Sequence, residues 1–225
     1  MTYEEYILNK TEDTVFGGSL VVPSEINKGI KVNGGSNTVS IMDLKGILII
    51  DRVGVNAPSL EVYKTGIEDF AYASGDKQRW RMHVEHWDQI GGDKYLHAHI
   101  RHNGTAISGD LVITFDICHN YGHSRPGSPD PIQIVQTVAS ADIATKMSQY
   151  DTLIEDILMA QSGGGAGLID SDNWLPDDDI LITMTVTTLP TITGGTTNRV
   201  FIPYCDIHCG STNVGTKNRA PDFWS

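Results

Sequence analysis

Apolar and polar residues alternate with a period of two along much of the chain beyond residue 60. Trp80, Met82 and Val84 alternate with Arg79, Arg81, His83 and Glu85. Leu96, Ala98 and Ile100 alternate with Tyr95, His97, His99 and Arg101, and Leu111, Ile113, Phe115 and Ile117 with Val112, Thr114, Asp116 and Cys118. A strand sends successive side chains to opposite faces, so each run predicts a strand with one buried face. Residues 180–188 and 200–209 are rich in β-branched and aromatic side chains and predict two more. Many short strands without alternating helices predict an all-β fold, an antiparallel β-sandwich or jelly roll. One segment departs from this period: Met147, Tyr150, Ile154, Ile157 and Leu158 recur at helical spacing, predicting a helix within 142–160 that Gly163-Gly164-Gly165 would end. Residues 1–60 hold strand candidates at 15–22, 38–43 and 46–52, broken by Asn33-Gly34-Gly35 and by a loop around Pro58. The expected organisation is an N-terminal arm or set of attachment strands, 1–60, and a jelly-roll-like sandwich domain, 61–225. The alternative is that the first residues add strands to a single sandwich.

Composition sharpens the picture. The acids comprise 20 Asp against 8 Glu, beside 20 Thr, 23 Gly and 11 Asn, a bias toward turns and strands over helix interiors. The net charge of −12 offers no phosphate-binding stripe, which argues against nucleic acid as a partner. Apolar runs such as Ile47–Ile50 are far shorter than the ~20 residues of a membrane helix. The acidic N-terminus lacks the basic start and apolar stretch of a signal peptide, so synthesis in a cytoplasm is expected. Three cysteines without a secretion signal do not make a disulfide framework. On a regular strand Cys205 and Cys209 stand about 13 Å apart on one face, so they are expected as buried free thiols beside Ile207. Asp206 and His208 then share the opposite face. The Asp-rich stretch 170–179 lacks the ligand order of an EF-hand and is expected to be a solvated loop.

Most of the eight histidines fall in residues 83–123, and the tightest group is Leu-His-Ala-His-Ile-Arg-His at 96–102. On a strand His97 and His99 point the same way about 6.6 Å apart, a spacing that suits two ligands on one divalent ion. His-x-His is also how the cupin metal site begins, and Gly91 stands six positions before His97 as in that motif. The cupin glutamate should then fall near 103–104, where Asn103 and Gly104 stand, so a cupin-like metal enzyme is the least favoured reading. Because Leu96, Ala98 and Ile100 must face the core, His97 and His99 face away from it. They are expected, with Arg101, Asp206 and His208, at a subunit interface. No cofactor is expected; a divalent metal held between subunits by His97 and His99 is the alternative. No Ser–His–Asp or Cys–His signature for nucleophilic catalysis is legible.

The C-terminal stretch from Val200 to Trp224, with Asp206-Ile207-His208 followed by a Ser/Thr turn and Gly215-Thr216-Lys217, resembles the ending of a group of tailed-bacteriophage virion structural proteins. Members of that group also carry an upstream Ile-His-Pro-His-Ile-His-Trp motif, of which residues 96–102 look like a divergent copy with Ala98 in place of proline. The resemblance spans about residues 65–225. It implies a non-enzymatic component of the virion, assembled in the host cytoplasm, of the decoration, head-fibre or tail-fibre kind. A capsid decoration or cement protein would bind the major capsid protein or other virion proteins as an oligomer, expected to be a homotrimer. A tail-fibre or receptor-binding module would instead contact a host surface glycan, with Tyr121, Trp174, Phe223 and Trp224 as stacking candidates.

Overall fold

The computed structural model describes residues 40–45, 47–49, 56–85, 88 and 90–211, with the backbone alone for 40–49. The candidate strand at 15–22, Phe223, Trp224 and the Gly215-Thr216-Lys217 motif lie outside the described residues.

The chain forms the expected β-sandwich. Its first sheet is centred on β6, Lys94–His102. β10, Thr152–Gln161, runs antiparallel along one edge of β6. The other edge is shared, by β15, Cys205–Ser211, over the first half and by β14, Val200–Phe201, over the second. Beyond β14 the sheet continues through β4, Ile67–Tyr72, to β3, Ser59–Lys64. The second sheet contains β5, Lys77–His83, β12, Asp179–Thr188, β8, Leu111–Asn120, and β9, Ile132–Val138, in that spatial order. A small ribbon pairs β7, Ala106–Ser108, with β13, Thr191–Thr193, and β11, Ile169–Asp170, runs parallel to the end of β10.

One continuous core lies between the sheets. Leu96, Ala98, Ile100, Cys205, Ile207 and Cys209 face Trp80, Met82, Ile113, Phe115, Ile182 and Met184, all at most 1% exposed. The alternation seen in the sequence is therefore the alternation of the fold. The final strand has the expected register, with both cysteines buried as free thiols.

The region expected to be one helix is divided. A helix, α1, covers Ser140–Lys146 and stops where Met147 turns extended; residues 152–161 are β10. The physical reason is that β10 has apolar residues on both faces. Leu153 and Ile157 enter the core, whereas Ile154 is 48% exposed, and the two sets together imitate a helical period. The single strand expected at 200–209 is likewise split, because Pro203 lacks the N–H that a ladder needs.

The N-terminal residues that the structure describes belong to the sheets. β1, Ser40–Lys45, pairs antiparallel with β15, and β2, Ile47–Ile49, pairs with β5, so this segment adds an edge strand to each layer. Among the described residues, strand pairing is thus present from Ser40, upstream of the domain boundary expected near residue 60. A chain beginning at Leu60 is expected to melt at least about 10 °C below one beginning at Asn37. Ladder hydrogen bonds contribute roughly 0.5–1.5 kcal/mol each, and the truncation removes two edge strands. Thermal circular dichroism on the two chains checks this; coincident midpoints would make 40–59 dispensable to the fold.

Candidate metal and interface site

Pairing across three strands builds the site. Asp156 of β10 and Asp206 of β15 are both register partners of His97 on β6, so the three side chains form a row on the face away from the core. His99 extends the row by one pleat. Its backbone N–H donates to the Tyr204 carbonyl at 3.3 Å, and its ring stacks on Tyr204 with centroids 4.0 Å apart. Tyr204 occupies that position because the chain leaves β14 at Pro203 and rejoins the sheet as β15.

His97, His99 and Asp206 lie where the alternation placed them, yet they are buried within one chain: 9%, 7% and 3% exposed. One ligand atom from each of the three lies within 4.8 Å of the others. His97 Nδ1 is 3.5 Å from Asp206 Oδ1, and His99 Nε2 is 3.4 Å from the same oxygen. Neither His99 Nε2 nor Asp206 Oδ1 makes a hydrogen bond. The other nitrogen of His97, Nε2, is 2.7 Å from Asp156 Oδ1 and 3.1 Å from His208 Nδ1. Burial lowers the His99 pKa below the ordinary imidazole range, against the opposing pull of the Asp206 carboxylate.

Of the other expected interface residues, His208 is half-buried with its ring 4.6 Å from that of His97. Arg101 lies farther along β6, where its Nε donates to Thr152 Oγ1 at 2.9 Å and its guanidinium sits over Tyr63. His102, on the opposite parity, is buried with Nε2 3.3 Å from the Met147 carbonyl oxygen. Asp156 and Tyr204 escaped sequence reasoning. Asp156 was hidden in a segment read as helix, and Tyr204 depends on the break at Pro203. The cupin-like Gly91 has a backbone reason: its φ is +74°, and an added Cβ would meet Asp172 Oδ1 at 2.9 Å.

The acidic stretch 170–179 is not the solvated loop expected from composition. Asp178 is 1% exposed and accepts from His119 Nε2, Arg125 Nη2, Leu175 N and Gly122 N. Asp170 and Asp172 cap neighbouring backbone N–H groups. Trp174, expected as a sugar-stacking residue, is wholly buried, and Tyr121 is covered by the Arg125 guanidinium 3.6 Å from its ring centre. A second histidine group, His83 and His123 on either side of Asp177, sits at the surface.

No family model and no curated protein matches the chain. Among solved structures, a crystal structure of a family 30 carbohydrate-binding module is similar over 77% of this chain and 97% of that one, at 12% identity and a TM-score of 0.30.

Proposed function

We propose that the chain is a non-enzymatic structural component of a tailed-phage virion, in the first instance a capsid decoration or cement protein that binds the capsid surface as an oligomer. The register supports this reading. Two parts of the stretches that carry the resemblance, 96–102 and Asp206-Ile207-His208, are separated by about a hundred residues of sequence, yet they lie on neighbouring strands with His97 opposite Asp206. They are adjacent strands of one sheet, so both stretches belong to a single structural element, as a shared assembly role would use. That face also presents Ile154 and Tyr204, 48% and 37% exposed, beside His99, an apolar rim suited to a subunit or capsid contact.

The test is quantitative mass spectrometry of purified particles. Hundreds of copies per virion are expected. One or two dozen copies would move the assignment to a tail-fibre or receptor-binding role, and absence from the particle would overturn the virion reading altogether.

A further inference from the structure

We propose that His97, His99 and Asp206 form an intrasubunit binding site for one transition-metal ion of the zinc type, with Asp156 as the group that orients His97. This does not rest on the virion reading. Three observations on the cluster carry it.

The first is spacing. An ion bound at about 2.0–2.2 Å by tetrahedral nitrogen and oxygen ligands holds those ligands about 3.3–3.6 Å apart. The separations to Asp206 Oδ1, 3.5 Å from His97 Nδ1 and 3.4 Å from His99 Nε2, match that edge length. They are too long for strong hydrogen bonds.

The second is the absence of a bonded proton between the buried atoms. His99 Nε2 and Asp206 Oδ1 are sealed from solvent and make no hydrogen bond. A buried carboxylate oxygen without a donor costs several kcal/mol unless a cation faces it. Asp156, 2.7 Å from Nε2 of His97, fixes that ring's proton on Nε2 and turns the Nδ1 lone pair toward Asp206. A carboxylate on the far nitrogen of a liganding imidazole is the arrangement that metal-binding histidines adopt.

The third is the donor chemistry. Two imidazoles and one carboxylate suit zinc, cobalt or nickel and disfavour calcium and magnesium, which take oxygen ligands. Three protein ligands leave one position for water or a partner's group. His97 also lines a cleft of about 250 Å³ with Asp93, Tyr95, Asp156 and His208.

The experiment uses the full chain, stripped with chelator and titrated with Co²⁺ and then Zn²⁺, read by visible absorption, calorimetry and melting temperature. The expected result is one Co²⁺ per chain, a tetrahedral d–d spectrum without a thiolate charge-transfer band, and displacement by Zn²⁺. His99→Gln and Asp206→Asn should each weaken binding at least about 100-fold. Asp156 is exposed, so Asp156→Asn should fold normally and weaken binding about 10–100-fold, which keeps the test decisive if the buried variants unfold. No saturable binding at micromolar Co²⁺ would overturn the site. So would binding that survives Asp156→Asn unchanged but disappears in His83→Ala/His123→Ala, since the ion would then belong to the surface group around Asp177.

Discussion

Asp178→Asn is expected to lower the stability of the chain by about 3–5 kcal/mol, roughly a 10 °C fall in Tm. The carboxylate is almost sealed from water and accepts four hydrogen bonds: 2.6 Å from Gly122 N on one oxygen, and 2.8, 2.8 and 3.1 Å from His119 Nε2, Arg125 Nη2 and Leu175 N on the other. Asn keeps the shape but must turn an NH₂ group toward donors whichever way it is placed. Arg125, whose side chain is itself 9% exposed, then loses its counter-charge inside the protein. The group joins three elements: β8 through His119, the loop after it through Gly122 and Arg125, and the acidic stretch through Leu175. Urea unfolding of the parent, Asp178→Asn and Asp177→Asn separates the network from its surroundings. Asp177 is 30% exposed at its side chain, and its replacement should cost under about 1 kcal/mol. A loss below about 1 kcal/mol for Asp178→Asn would mean that this stretch is held by packing around Trp174 alone.

This network shows where sequence reasoning stops. Strands such as β5, β8 and β12 were legible because each has one face in the core and one outside, so burial itself writes the period. β9 alternates too, but it is an edge strand with Val135 57% exposed, and its contrast is weak. The β3–β4 hairpin buries side chains only toward the C-terminal end of each strand, at Tyr63 and at Ala71 and Tyr72, and so has no sustained pattern. The site divides in the same way. His97 and His99 share a face by local geometry, which any strand reading predicts. That Asp206 lies opposite His97 depends on how β15 joins β6, and no local period encodes that register. Asp178 is hidden for the opposite reason. Composition classes a run of Asp as solvated, while three of its four partners come from the distant 119–125 segment.

A buried charge lies on the other side of β6, at Lys94. Lys94→Met should cost about 3–5 kcal/mol at pH 8 and markedly less at pH 4.5, and Asp88→Asn in the same chain should restore much of the loss. Lys94 is wholly buried; its Nζ donates to the Gly91 carbonyl at 2.9 Å and lies 6.0 Å from the Trp174 ring centre. Burial pulls its pKa down, opposed by nearby acids that include Asp88. Asp88, 5% exposed, has its pKa pushed up to about 6 by burial, despite its hydrogen bond from Glu85 N and the pull of Lys94. A carboxyl raised from 3.8 to about 6 holds its proton more tightly folded than unfolded. Its contribution is therefore complete below about pH 4 and is lost as pH rises to about 6, roughly 3 kcal/mol in all. Without the lysine cation the folded-state value rises further, so the decline continues past pH 6 and the variant is weakest where Asp88 must ionise alone. Denaturant midpoints of the parent, the single variant and the double variant from pH 4 to pH 8 give the three curves. If Lys94→Met lost the same stability at every pH, its role would be packing beneath Trp174, and the charge coupling to Asp88 would be refuted.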